Sequence, residues 1–486
     1  MTTSCLDTAC RARKGYTMSD QTQELLRKLP SITELLKHET VAGWLRQHPQ
    51  TLVTGCLRGA LDELRGQILA SPADRCVAPA IGLEAILRRA GDLLLQASEP
   101  RLREAINATG IILHTGLGRA VLPGSVVDSM ISELKGSITL AVDRNSGERI
   151  ERDELIEPLL QELTGAEAAT VVNNNAGATL LVLAALAAHR EVIVSRGQLI
   201  EIGGSFRLPD VMQQSQARLI EVGTTNRTHL KDYDKGITES TAALMRVHPS
   251  NYRVVGFTSE VKLHELAELA HSRGLLLIDD LGSGALLDLR QFGLPYEPTV
   301  RESVEAGADV VLFSADKLIG AGQGGIIVGG KQAIARIRKH PLMRALRVDK
   351  TCLMVLERTL QLFRAPERLC QEHPTYRMLT TPLSQVRDRA ESLAQAIRKT
   401  APRVKTSVRA SQAYLGSGSL PEEAIPSSVV SVSVSGLTPT QLARALRMDA
   451  ACVFGRIENE QVLLDARTIA DPQVSIVAEA LGRIAA

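Results

Sequence analysis

The sequence predicts an α/β protein with a mostly parallel sheet, a small helical domain before it and a smaller α+β domain after it. Three patterns predict this. Short apolar runs alternate with helical spacing through the middle of the chain, the N-terminal stretch shows helical spacing only, and the C-terminal stretch mixes alternating strands with helices. In the middle, Ala169–Val172 is followed by a helix over Ala176–Ala188 and then by Glu191–Ser195. Arg218–Val222, Ala242–Val247, a helix over Lys262–Arg273, Leu275–Asp279 and Val310–Phe313 continue the alternation. Repeated strand–helix–strand units bury their strands under helices on both faces, so the strands read as continuous apolar runs.

In the N-terminal stretch, Leu25, Leu26 and Leu29, then Leu35, Leu36 and Val41, then Leu61, Leu64 and Ile68 form helical stripes. Pro30, Pro49, Pro72 and Pro79 punctuate them, and Ser71–Ala80 reads as a linker or hinge. The C-terminal part offers a strand at Ser428–Val434, a helix at Pro439–Arg447, a strand at Gln461–Asp465 and a closing helix at Asp471–Ile484. Tyr414–Ser428, rich in Gly, Ser and Pro, reads as a loop. The expected division is a disordered tail over residues 1–17, a helical domain over 18–90, a core over 91–378 and an α+β domain over 379–486.

Composition bounds the function. With 486 residues and 44% hydrophobic content the chain can bury several cores, and with 3% aromatics those cores must be aliphatic. Lys plus Arg number 56 against 54 Asp plus Glu, so the net charge of +2 points to no partner, and a nucleic acid would need a local basic patch. Cys5, Cys10, Cys56, Cys76, Cys352, Cys370 and Cys452 are scattered without metal-ligand spacing, so they read as reduced thiols in a cytoplasmic protein with no metal site. No apolar run reaches the roughly 18 residues of a membrane helix, and no signal peptide is legible.

Three features carry chemistry. Ser314-Ala-Asp-Lys317 follows an apolar strand and leads into Gly320–Gly325, placing a hydroxyl and an amine on one side of a tight turn. The same tetrad spacing occurs in serine hydrolases and in ordinary exposed loops. Asp279 and Asp280 end the strand begun at Leu275, where a carboxylate points into the crevice at the sheet edge; a metal pair or a helix cap is the other reading. Asn173–Ala178 joins a strand to an apolar helix, and its Asn174, Ala176 and Gly177 let backbone N–H groups approach a phosphate, as they would also in a plain turn. Together these are what pyridoxal phosphate requires: a lysine for the aldehyde (Lys317), an acid for the ring nitrogen (Asp279, the nearer to the strand) and a phosphate cradle (Asn174, Ala176, Gly177 and Ser314).

Longer strings carry a resemblance. Ile106–Arg119 (INATGIILHTGLGR), Val192–Val211, Val222–His229, His248–Phe257, Asp279–Gly284 (DDLGSG) and Phe313–Val328 are similar to bacterial L-seryl-tRNA(Sec) selenium transferases, the selenocysteine synthases. The resemblance runs from about residue 20 to the end of the chain and is densest over Ile106–Arg347. It implies a fold-type-I pyridoxal-phosphate transferase in which the N-terminal domain binds tRNA, with Arg27, Lys28, Lys37 and Arg58 as candidate contacts. It implies that Lys317 bonds to the cofactor, that the neighbouring Asp316 orients or deprotonates it, and that Arg119, Arg344 and Arg347 bind the selenium donor. On a helix, Arg344 and Arg347 would share a face; without the resemblance they would read as a solvated surface.

The implied reaction is a β-replacement on seryl-tRNA(Sec) through an aminoacrylyl-tRNA, with selenophosphate as donor, in a ring-shaped homodecamer built as a pentamer of dimers. Two rivals compete. A related pyridoxal-phosphate lyase acting on a small free amino acid would need a carboxylate clamp, for which Arg467 is placed, and a non-catalytic tRNA-binding protein would not need Lys317, Asp279 and Ser314. Arg196 and Gln198 lie in the region expected to stack on the ring, and the sequence does not choose between them.

Overall fold

The structure is a computed structural model that describes residues 20–70, 82–98, 100–203, 206–417 and 419–486. The expected tail over 1–17 and the expected hinge over Ser71–Ala80 lie outside those residues. The chain divides into two compact units, Met1–Arg103 and Glu104–Ala486.

The N-terminal unit contains the helices Asp20–Arg27, Ile32–Leu35, Glu39–Leu45, Gln50–Ala70 and Leu83–Ser98. Ser31 opens the second with a capping box: its hydroxyl accepts from Glu34 N at 3.2 Å while the Glu34 carboxylate accepts from Ser31 N at 2.8 Å. Val53, Cys56, Leu57, Ala60, Leu61, Leu64 and Ile68 make the buried stripe of the long helix. Against it lie Ile86, Leu87, Ala90 and Leu94. That stripe runs through position 90, so the expected boundary at 90 falls inside a helix whose packing belongs to this unit.

The second unit is built on a seven-stranded sheet. Its order is Ala168–Val172, Gly325–Gly329, Val310–Ser314, Leu276–Gly282, Thr241–Val247, Glu191–Ser195 and Arg218–Val222. Every pairing is parallel except the two made by Gly325–Gly329. Alternate residues feed two cores: Val311 and Phe313 face one, Val310 and Leu312 the other, and Leu277 and Ile278 divide in the same way. Burial on both faces explains the unbroken apolar runs. The antiparallel strand was not legible because its glycines hide it: a Cβ on Gly325 would sit 2.2 Å from Asn174 O, and one on Gly329 2.1 Å from Asp309 O.

A second sheet orders Ile106–Ala108, Val453–Glu458, Gln461–Asp465, Ser419–Val434 and Val404–Gly416. Helices Leu383–Thr400, Pro439–Met448 and Gln473–Ala485 cover it. Two expectations are corrected. The described residues of Tyr414–Ser428 are not a loop but pair in a long hairpin, with Tyr414 opposite Ala424 and Gln412 opposite Pro426, because the alternate residues Leu415 and Ile425, with Ala413 just before them, are apolar and buried. The C-terminal sheet also takes its first strand from Ile106–Ala108, so residues before 379 help to build it.

Candidate active site

The parallel strands end at one edge of the large sheet, and the lysine turn hangs there. Val310–Ser314 delivers Ser314 to the edge, and the chain then folds back into the antiparallel strand, with Ala315 N donating to Gly324 O at 2.9 Å and Ala321 N to Ala315 O at 2.9 Å. Behind the turn, the ring of His373 contacts Ile319 O through Nε2 at 2.8 Å, and Gly320, at φ 71°, leaves room for it. Lys317 is thereby held 95% buried in a cavity of about 230 Å³, whose walls include Arg119, Asn174, Asn175, Ala176, His248, Asp280, Ser314 and Gln323. Burial, and after it the Arg119 guanidinium, push the Lys317 amine below the ordinary lysine range, while Asp280, Asp316 and Glu297 pull it back.

The aspartate expectation is corrected. Asp279 and Asp280 follow each other on Leu276–Gly282, so their side chains leave opposite faces. Asp279, fully buried, accepts from Arg246 Nε at 2.7 Å and Nη2 at 2.8 Å and does not line the cavity. Asp280 lines it, accepting from Asn175 Nδ2 at 2.9 Å and Thr179 Oγ1 at 3.0 Å. Burial pushes its carboxyl above the ordinary range, and the Asn175 and Thr179 bonds and Lys317 oppose that rise.

Asn174 caps the helix Asn175–Ala187, its Oδ1 accepting from Gly177 N at 2.7 Å. Asn174 and Ala176 reach the cavity; Gly177 is buried beside it, where a Cβ would stand 3.1 Å from Leu346 Cδ2. The residues fit pyridoxal phosphate. A buried lysine, a facing carboxylate, a helix N-terminus and an apolar wall of Ile200, Ile202 and Phe206 share one space. The buried Asn175 Oδ1 lacks a partner, and Gly282 leaves room beside Lys317, since a Cβ there would lie 3.9 Å from Nζ. Arg196 and Gln198 are absent from the walls: Arg196 pairs with Glu221 and Gln198 accepts from Val247 N at 3.1 Å.

The family model described as L-seryl-tRNA selenium transferase matches residues 105–470, and one described as selenocysteine synthase N terminal matches residues 26–65. The L-seryl-tRNA(Sec) selenium transferase of Caldanaerobacter subterraneus subsp. tengcongensis is 44% identical, the alignment covering 95% of this chain and 99% of the relative. That of Geobacter sulfurreducens is 43% identical over the same shares. This chain belongs to the L-seryl-tRNA selenium transferase family. A D-glucosaminate-6-phosphate ammonia-lyase structure shares the fold, with a TM-score of 0.55 at 22% identity over 79% of this chain and 96% of that one.

In this selenium transferase the three arginines do not meet in one pocket of the chain. Arg119 lines the lysine cavity and pairs with Asp316, Nη1 to Oδ2, at 2.6 Å. It adopts φ 63°, a left-handed backbone that costs a side-chain-bearing residue about 1 kcal/mol or more. Arg344 and Arg347 line a neighbouring cavity of about 560 Å³. They do not share a helix face, because the helix is only Leu342–Ala345 and Arg347 lies beyond it, bridged to Val172. Leu346 O accepts from Asn173 N at 3.0 Å, so the turn over Asn173–Gly177 stands between the two cavities.

Arg152 joins Arg344 and Arg347 in the second cavity, a residue that sequence reasoning missed. Burial, then Arg347 and Arg344, lower its pKa, and its Nε has no hydrogen-bond partner. The signal available in the sequence was Arg149 and Arg152 in a segment with no other assignment. In the N-terminal unit, Arg27, Lys28, Lys37 and Arg58 are all exposed, and Lys28 pairs with Glu24 at 2.8 Å. Among the described residues, no His, Cys, Asp and Glu group is arranged to hold a metal, and no helix is long and apolar enough to cross a membrane.

Proposed function

We propose that this chain converts L-seryl-tRNA(Sec) to L-selenocysteyl-tRNA(Sec) by pyridoxal-phosphate-dependent β-replacement, with selenophosphate as the selenium donor. The observation that carries the reading is the meeting of Lys317 and Asp280 in one cavity under a helix N-terminus, in a chain of this family.

Bound there, pyridoxal phosphate supplies an electron sink that acidifies the Cα–H of the attached serine. Ser314, Asn174, Ala176 and the free N–H groups at the start of Asn175–Ala187 would hold its phosphate. Asp280, which lines the lysine cavity, would take the role that the sequence suggested for Asp279 and pair with the ring nitrogen. Lys317, its amine biased toward the neutral form by burial, takes the Cα proton. Asp316 acts by fixing Arg119, which meets the donor from the lysine cavity, while Arg344 and Arg347, with Arg152 beside them, bind the donor's oxyanion as guanidinium forks from the neighbouring cavity. The N-terminal unit holds the tRNA body with Arg27, Lys28, Lys37 and Arg58 among its contacts. The protein works in the cytoplasm as a homodecamer, a pentamer of dimers.

Arg467 separates this reading from the free-amino-acid lyase. It is 3% exposed, outside the lysine cavity, and its guanidinium donates to the carbonyls of Met378 at 2.8 Å, Thr381 at 3.0 Å and Pro426. A guanidinium whose two terminal nitrogens are held by backbone carbonyls outside the lysine cavity is no clamp for a free carboxylate bound beside Lys317, and the aminoacyl ester of seryl-tRNA needs none. The test is the visible absorbance of the cofactor-loaded protein. It should shift on adding seryl-tRNA(Sec) and stay still with free serine; the opposite pattern would favour the lyase.

A further inference from the structure

Loss of the β-hydroxyl needs two proton sites, a base for Cα–H and an acid for the departing oxygen. Among the described residues, the ionisable side chains lining the lysine cavity are Arg119, His248, Asp280 and Lys317. Asp280 is engaged by Asn175 and Thr179, Arg119 by Asp316, and a guanidinium does not release its proton in a protein. Lys317 has the Cα proton to manage. His248 remains.

Its surroundings suit an acid. His248 follows the strand Thr241–Val247, and its N–H donates to Asp280 O at 2.9 Å, which fixes it beside the Asp280 strand. Its side chain is 21% exposed, and Nε2 stands 3.5 Å from Oε1 of Glu297, a carboxylate that is 3% exposed. That Oε1 has no hydrogen-bond partner. A buried carboxylate oxygen without a donor is costly, and a protonated imidazole is the group that relieves the cost.

We infer that His248, seated against Glu297, is the acid that protonates the departing β-hydroxyl. The inference rests on the β-replacement reading. The Cα proton goes to Lys317 Nζ, and the electrons of the broken C–H bond form the Cα=Cβ bond. The Cβ–O bonding pair leaves with the oxygen, which takes the His248 proton and departs as water. The proton on Lys317 returns to His248 through solvent, so the elimination consumes no net proton. Glu297 is a positioning residue that holds the imidazole.

The experiment is a single turnover of cofactor-loaded protein with seryl-tRNA(Sec) in D2O without a selenium donor. Three readouts are taken: visible absorbance, deuterium at Cα of serine recovered from the tRNA, and pyruvate from hydrolysed eliminated product. His248→Gln should keep the absorbance, exchange Cα within about threefold of wild type, and release pyruvate at least about 100-fold more slowly. Glu297→Gln should give the same split at about tenfold. Pyruvate at the wild-type rate in His248→Gln, or Cα exchange falling in step with pyruvate, would overturn the assignment. If His248→Gln fails to fold, Glu297→Gln decides: an unchanged pyruvate rate would overturn it. Wild-type protein that releases no pyruvate would instead overturn the β-replacement reading.

Discussion

Arg119 Nη1 lies 2.6 Å from Asp316 Oδ2, so the residue before Lys317 is tied to a loop arginine of the same cavity. The two partners push the Lys317 amine in opposite directions, Arg119 lowering its pKa and Asp316 raising it. Their removal should therefore act with opposite sign. In cofactor-free protein at fixed mildly alkaline pH, Arg119→Ala should leave Lys317 more protonated and slow its acylation by an amine reagent. Asp316→Ala should speed it. Peptide mapping reads both rates, and shifts of the same sign would mean that the pair does not govern Lys317.

The two adjacent aspartates should separate cleanly. Asp280→Asn removes the carboxylate that lines the lysine cavity and should weaken cofactor affinity by at least about tenfold, about 1.4 kcal/mol, with little change in melting temperature. Asp279→Asn leaves Arg246 unpaired in a buried site and should cost about 3 kcal/mol of stability. Cofactor titration and thermal melts on both variants check this. A swapped pattern would restore Asp279 to the role first expected of it.

Selenium delivery should depend on the second cavity. Arg344→Ala, Arg347→Ala and Arg152→Ala should each retain cofactor absorbance and seryl-tRNA binding while raising the selenophosphate concentration needed for half-maximal rate by about tenfold or more. Arg152→Lys should not rescue fully, because an ammonium lacks the planar fork. Unchanged donor dependence in all of them would remove the oxyanion role from this cavity.

Acid sensitivity should trace to His373. Burial pushes its pKa down from 6.5 to about 4, so the folded protein holds the imidazole neutral while the unfolded chain protonates it. Between those values the unfolded state binds more protons. The stability is fully present above pH 6.5 and is lost as pH falls toward 4, up to about 3 kcal/mol. His373→Gln, which keeps an N–H for the Ile319 carbonyl, should flatten denaturation midpoints across that window. An equal slope in both proteins would place the acid-labile group elsewhere.

The fold was legible where burial on both faces writes continuous apolar runs: Glu191–Ser195 and Arg218–Val222 fall where the sequence puts them. It was illegible where close backbone approach demands glycine, as at Gly325 against Asn174, and where Gly, Ser and Pro disguise a hairpin at Tyr414–Ser428. In the site, Lys317, Ser314, Asn174 and Ala176 meet as the motif order suggests. The choice between Asp279 and Asp280 was not decidable from proximity to the strand. The strand continues to Gly282, so both residues lie within it and only the face of each matters. Arg152 and His248 are brought in by tertiary packing: Arg149 beside Arg152 and the string His248–Phe257 mark their neighbourhoods in the sequence but give neither residue a role.

The most direct measurement of the central claim follows radioactive selenium. Purified protein loaded with pyridoxal phosphate is given labelled selenophosphate with either seryl-tRNA(Sec) or free serine. Label should appear as selenocysteine esterified to the tRNA, vanish with Lys317→Ala, and be absent from the free-serine reaction. Labelled free selenocysteine with no labelled tRNA would contradict the account.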